Sequence, residues 1–347
     1  MADVEVLGAG IFGLAIAWSL TERGARVRLI EKRHAGAGAS GGILGALQPH
    51  VPDPWTPTKA FQRDALALHP AFWRKVAAAS GIDPGYRRIG RILPLADERA
   101  VALARRRAEA ATRHWRGLGS WRIVPAERFA GWAPPSPTGL LVHETLSARI
   151  DPARACRALA HAVIARGGEI VRGEAGSGTL PLIDARGHEG LAALGRELGR
   201  PVGGGVKGQA ALLAHDAEGL PQIFMRGLHV VPHPHGVAIG STSEREWSRE
   251  GVDAALDTLL DRAREAVPTL GDAPVLARWW GIRPRALHGR PLLGPHPARD
   301  DVFIANGGFK IGIGLAPLVG RLMADLVLEG RADIPAGFLP ENALRTE

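Results

Sequence analysis

Two apolar periods share the first thirty-one positions of the chain. Val4-Glu5-Val6-Leu7 is a short, β-branched and apolar run, the pattern of a buried parallel strand. Ile11, Leu14, Ala15 and Trp18 then recur at helical spacing, which predicts a helix over 11–23 with Gly24 at its C-terminal end. Val27-Arg28-Leu29-Ile30 returns to a strand and ends in Glu31. Together these predict a β-α-β unit. Further along, helices are expected over 58–79 and 97–115, from Asp151 (N-cap) and Pro152 to about Arg166, over 252–266, and over 313–329. Strands are expected at 169–171, 182–184, 206–213, 228–231, 237–240 and 302–305. Prolines at 49, 52, 54 and 57, and again at 134, 135 and 137, punctuate the chain where it crosses between domains.

Composition narrows the class. The chain has 347 residues, 46% hydrophobic and 22% charged, a globular balance long enough for two domains. A single cysteine, Cys156, excludes an internal disulfide and a thiolate cluster, and a reducing compartment is the default. The net charge is +8, and five of the 43 basic residues are lysines. That balance suits an anionic partner such as a nucleotide, a carboxylate or RNA, but no basic block forms a nucleic-acid tail. The apolar stretches Leu7–Leu20 and Ile311–Leu328 are short or broken by Gly, Pro, Arg and Asp, so no membrane span is expected. The acidic start, Asp3 and Glu5, does not resemble a secretory signal, and a cytoplasmic protein is expected.

The strongest local signal is Gly8-x-Gly10-x-x-Gly13 followed by Glu31. Gly8 permits a tight turn, Gly10 a close approach of the backbone to a pyrophosphate, and Gly13 close packing of helix on strand. The helix N-terminus offers free N–H groups and partial positive charge to phosphates, and Glu31 can accept from ribose hydroxyls. A glycine-rich stretch, 36–46, is interleaved with Ile43, Leu44 and Ala46, which suits a backbone lying against a large flat ligand. It contains Gly38-Ala39-Ser40-Gly41-Gly42, a formal hydrolase elbow, but no strand precedes Ser40 as that elbow requires. Trp279-Trp280-Gly281-Ile282-Arg283-Pro284 supplies an arginine, and Asn306-Gly307-Gly308-Phe309-Lys310-Ile311-Gly312 supplies a lysine and several amides before a helix. Arg283 and Lys310 together can clamp a carboxylate, one as a fork and one as a point charge. The histidines around His229, His233 and His235 match no metal-site spacing.

These motifs, taken in order, resemble the FAD-dependent D-amino-acid oxidase superfamily on its glycine oxidase and sarcosine oxidase branch. Ser147–Pro152, Val206-Lys207-Gly208-Gln209, Val231-Pro232, Ile239–Thr242 and Pro291–Gly294 extend the resemblance over nearly the whole chain. It implies an α/β fold: a doubly wound, Rossmann-like FAD domain interleaved with a mixed-sheet substrate domain. The FAD domain is expected from 1–48, 140–204 and 281–347, the substrate domain from 49–139 and 205–280. The resemblance implies noncovalent FAD, because no cysteine stands near the C-terminus to link it. Implied cofactor contacts are Gly8, Gly10, Ile11, Phe12, Gly13, Glu31, Lys32, Ala39, Ser40, Gly42, Ile43, Leu44, Ala185, Gly187, Gly281, Arg283 and Asn306 through Gly312 (Gly307, Gly308, Phe309, Lys310, Ile311). Arg283, Lys310 and His229 are the implied catalytic set.

The implied chemistry is oxidation of a small amino acid (glycine, a D-amino acid or an N-methyl amino acid). Hydride passes from Cα–H to flavin N5, water hydrolyses the imine, and O2 or another acceptor takes the electrons. Two features depart from the family pattern. His229 stands where related oxidases place a tyrosine, and the segment between Val171 and Leu182 is short. Gly38-Ala39-Ser40-Gly41 and Gly45-Ala46-Leu47-x-Pro49 also resemble the flavin domain of the tRNA wobble-uridine modification enzyme, so tRNA is an alternative partner. A non-catalytic FAD-bound sensor is a third reading.

Overall fold

A computed structural model describes residues 2–343. Val4–Leu7 forms a parallel pair with Val27–Glu31 on one side and Leu182–Asp184 on the other. Glu169–Arg172 and Val302–Asn306 extend this sheet in parallel, and Leu292–Pro295 closes it antiparallel. The helix between the first two strands, Ile11–Glu22, is buried on nearly every side. An all-round apolar helix has no solvent face, so it lies in the core. Its exit is a Schellman turn: Ala25 N–H donates to Leu20 O at 3.2 Å and Gly24 N–H to Thr21 O at 3.1 Å, with Gly24 at φ +86.

The helices expected from the sequence are present as Pro57–Ser80, Glu98–His114, Pro152–Ala165, Ala254–Ala266 and Gly312–Glu329. Thr56, Asp97, Asp151 and Asp253 cap four of them by accepting backbone N–H bonds. The last helix corrects an expectation. With its leading turn, Phe309–Glu329 is long and apolar enough to cross a membrane by length and composition, the only such span among the described residues. Leu315, Val319 and Met323 are nonetheless buried in the same core as Ile11–Glu22. A Cβ on Gly320 would lie 2.5 Å from Ala15 O, so the two helices meet backbone to backbone there. It is a core helix of this fold.

A second sheet of eight strands carries the rest, in the order Val275–Ala286, Gly203–Leu213, Gly236–Gly240, Leu228–His233, Gln222–Met225, Arg91–Pro94, Leu140–Glu144 and Trp121–Pro125. Leu140–Glu144 and the 281–286 end of Val275–Ala286 hydrogen-bond into this sheet, although the sequence reading groups 140–204 and 281–347 with the FAD portion. Their partners, Arg91–Pro94 and Gly203–Leu213, are remote in sequence, so nothing local marks them. Ala254–Ala266 packs on one face of the sheet through Leu256, Leu259, Leu260 and Ala263. The opposite face looks toward the C-terminal ends of the first sheet's parallel strands, where open α/β sheets bind ligands.

Candidate active site

One cavity of 710 Å³ joins the two sheets, a size typical of cofactor and ligand sites, about 300–1,000 Å³. At its first-sheet end the turn Gly8–Gly13 follows Val4–Leu7. Gly8 adopts φ +103, and a Cβ there would lie 2.8 Å from Ala185 O. A Cβ on Gly13 would lie 1.9 Å from Gly8 O, which makes glycine obligatory where the helix seats on its own turn. Gly10, the N-cap, has no side-chain bond. Ile11 N–H donates to Ser40 Oγ at 2.9 Å, whereas the Phe12 and Gly13 amides have no acceptor among the described residues. Glu31 receives the Ala9 and Arg33 amides, each at 2.9 Å, which aims its carboxylate along the turn. Lys32 pairs with Glu189 at 2.5 Å. A glycine cradle, two free helix-start amides and a fixed acid at the strand end fit a dinucleotide, its pyrophosphate on the turn and a ribose at Glu31.

Gly8, Gly10, Ile11, Phe12, Glu31, Lys32, Ala39, Ser40, Gly42, Leu44, Ala185, Gly187 and Asn306 through Gly312 all line the cavity, as do His229 and Arg283. Gly13, Ile43 and Gly281 do not. Gly13 faces Gly8 O. Ile43 packs with Leu212, Val231 and Ala238. A Cβ on Gly281 would meet the Trp279 ring at 2.5 Å, and one on Gly42 would meet it at 3.3 Å. These two glycines make room for an indole. Asn306 bridges the strand ends: its Nδ2 donates to Gly187 O at 2.9 Å and its Oδ1 accepts from Gly307 N–H at 2.7 Å.

The second sheet forms the other wall. Register places Phe224 opposite His229, His229 opposite Gly240, Gly240 opposite Ala210, and Ala210 opposite Trp279. Arg283 lies four residues beyond Trp279 on the same strand face. Its guanidinium occupies the space over Gly208: a Cβ there would fall 1.9 Å from Nη1. Nη1 donates to Thr242 O at 3.1 Å, and Arg283 makes no ion pair among the described residues. Burial pushes its pKa down to about 10, partly offset by Glu244. Lys310 is exposed along the cavity, and its pKa is lowered first by partial loss of water around the ammonium and then by Arg283. His229 is held to about 3, first by burial and then by Arg91, Lys310 and Arg283, and its Nδ1 has no partner.

Residues 3–326 match the FAD dependent oxidoreductase family, DAO. The chain belongs to this family. It is 30% identical to the glycine oxidase of Pseudomonas aeruginosa over 98% of its own length and 99% of that protein's. It is 30% identical to the glycine oxidase of Geobacillus kaustophilus, over 94% and 92%. The crystal structure of glycine oxidase from Geobacillus kaustophilus superposes with a TM-score of 0.84 at 27% identity, covering 97% of this chain and 98% of that one. The chain is an FAD-dependent oxidoreductase of mixed α/β fold.

Within the family frame, the cavity wall includes residues that sequence reasoning missed. Gln48, Arg91, Phe224 and Ser241 all line it. Arg91 and Phe224 come from two four-residue strands whose parallel pairing joins residues more than a hundred positions apart. Only the alternation that points His229 away from buried Leu228 and Val230 was visible locally. The thiol of Cys156 lies behind the glycine loop, 3.5 Å from Ser40 O, and does not line the cavity.

Proposed function

We propose that this enzyme oxidises the Cα–N bond of a small amino acid (glycine, a D-amino acid or an N-methyl amino acid) anchored by its carboxylate on Arg283 and Lys310. The carrying observation is Arg283: buried, without an ion-pair partner among the described residues, and facing the cavity. Such a guanidinium is a ready receptor for a carboxylate. The relatives named glycine oxidase support the amino-acid class. FAD, held noncovalently on the Gly8–Gly13 turn, Glu31, the 39–44 loop and the 306–312 turn, supplies a two-electron acceptor. The substrate loses two electrons and two protons and becomes an imine; water converts it to the 2-oxo acid and an amine, and O2 or another acceptor takes the electrons.

The chain's own contribution is to bind and orient. Arg283 and Lys310 hold the carboxylate, and the surrounding positive charge disfavours an ammonium, so the amine binds neutral. His229 supplies a neutral imidazole with a free ring nitrogen. We propose a cytoplasmic setting, supported by a sequence with a single cysteine and so no internal disulfide. The test is anaerobic mixing of the yellow holoenzyme with glycine, D-alanine and sarcosine. Loss of the flavin band with at least one of them is expected; an unchanged band across a full amine panel overturns the reading.

A pH prediction follows from His229. Burial keeps its proton affinity well below the ordinary histidine value, so the ring stays neutral at every pH above about 4. The ascending limb of kcat/KM against pH then reports the substrate amine, not this residue. His229→Gln is expected to lower activity while leaving that limb in place. A limb displaced by a full pH unit or more counts against a neutral imidazole.

A further inference from the structure

Alternation along Gly203–Leu213 sends its residues to opposite faces of the second sheet. Gly208 and Ala210, in register with Gly281 and Trp279, lie on the cavity face; Ala211 and Leu213 pack beneath Ala254–Ala266 on the other. Lys207 and Gln209 share that other face, and both are fully buried. There they clamp the chain that leaves Gly236–Gly240. Lys207 exchanges backbone hydrogen bonds with Glu244, each at 2.9 Å, and its ammonium pairs with the carboxylates of Asp253 and Glu244. Gln209 Nε2 donates to Asp253 Oδ1 at 2.7 Å and to Glu244 Oε1 at 3.0 Å, while its Oε1 accepts the Asp253 N–H at 2.8 Å. Thr242 completes the cluster. Its N–H donates to Gln209 O at 3.2 Å, its Oγ1 accepts the Gln209 N–H at 2.9 Å, and its hydroxyl donates to Glu244.

This cluster has one output on the cavity side. Thr242 O is the protein acceptor of the Arg283 fork among the described residues, at 3.1 Å, and the guanidinium reaches it by crossing the strand over Gly208, where no side chain stands. Arg283 itself comes from the neighbouring strand, opposite Val206. Its stem is thus set on one side of Gly203–Leu213 and its head by a carbonyl on the far side. Asp253 already caps its helix through the Ala255 N–H, so capping does not call for a buried lysine and glutamine. Buried ionic groups add little net stability, but a fully partnered network fixes geometry. We propose that Gln209 and Thr242 are positioning residues for Arg283: anchored by Lys207, Glu244 and Asp253, they fix the Thr242 carbonyl that aims the fork at the substrate carboxylate. This rests on the carboxylate site proposed above. Both Glu244 oxygens are taken up in the cluster, so this acid leaves the fork to the substrate.

The test reads carboxylate affinity in the holoenzyme. Thr242→Val keeps the shape and removes the hydroxyl; Gln209→Met keeps the length and removes the amide that bridges both acids. Each is expected to raise KM for the amino-acid substrate at least tenfold, the worth of about one charge-assisted hydrogen bond, while kcat at saturation stays within about twofold. A simple amine without the carboxylate should keep its KM. As a readout without turnover, the Kd of propionate, followed by perturbation of the oxidised flavin spectrum, should also rise at least tenfold. Thr242→Ser keeps the hydroxyl and should stay within about threefold of the parent in both. If Gln209→Met does not fold, Thr242→Val decides. Carboxylate affinity within about threefold of the parent in the folded variants overturns the inference, as does a Thr242→Ser enzyme impaired as badly as Thr242→Val. A loss shared equally by kcat, simple amines and flavin content marks a merely structural role and overturns it too. Arg283→Ala tells the two readings apart. If it weakens propionate and Thr242→Val does not, this inference alone falls. If it leaves propionate binding unchanged, the carboxylate site falls and takes this inference with it.

Discussion

Gly13→Ala is expected to yield a protein that purifies largely colourless. The new Cβ would stand 1.9 Å from Gly8 O, 3.1 Å from its carbonyl carbon and 3.4 Å from Val6 Cγ1. Neither partner can give way easily. Gly8 is held by its own N–H on Ile30 O at 2.8 Å, and Val6 is fully buried. The helix cannot retreat, because Gly320 already brings Gly312–Glu329 against the Ala15 carbonyl. Overpacking of this kind costs about 1–3 kcal/mol, and a clash with backbone falls at the upper end. The movement that relieves it carries the Phe12 and Gly13 amides off the anion position, so FAD affinity should fall about 100-fold or more. Flavin-to-protein absorbance after gel filtration measures this, with Tm of the apoprotein as the companion value. Gly10→Ala is the control: its Cβ would meet only Ser40 Oγ, at 3.4 Å, so its apoprotein should keep the parent Tm. Full flavin retention by Gly13→Ala would show that this turn does not hold the pyrophosphate.

How far the sequence could be read depends on how local each signal is. The β-α-β unit was legible because strand, turn, helix and acid lie within residues 4–31, each stage with its own period. His229 was legible as a strand residue for the same reason. Val275–Ala286 was not: Gly281 and Pro284 break the pattern of a strand around Arg283. Its identity as a strand comes from an antiparallel ladder to Gly203–Leu213, in which Pro284 faces Gly205. Gly42 and Gly281 carry a cofactor-like signature, yet the Trp279 ring lies against both. The same absence of a Cβ serves an indole as well as a flavin, and only packing distinguishes them. Arg91 had no signal at all, since a four-residue strand shows no decisive period and its partner Gln222 is remote.

Arg283→Ala tests the centre of the proposal. Removing the fork takes away charge-assisted hydrogen bonds worth about 1.5–3 kcal/mol each. For an amino acid this corresponds to a drop in kcat/KM of about 100- to 1,000-fold. The α-carboxylate keeps its charge from bound substrate to transition state, so the loss should appear mainly in KM. A simple amine without the carboxylate should change little by comparison, and an equal loss for both substrates would refute the clamp. Folding should survive the change. Burial lowers the pKa of Arg283, so the folded state disfavours its charge, and removing the side chain relieves that cost while leaving Thr242 O short of one donor. Gly208→Ala then separates position from charge. The new Cβ would fall 1.9 Å from Nη1 and 2.1 Å from the guanidinium carbon, in space the fork now fills. It should displace the arginine without deleting it, raising KM for amino acids at least tenfold and for simple amines far less. A Gly208→Ala enzyme with the parent KM would mean that the carboxylate is held elsewhere in the cavity.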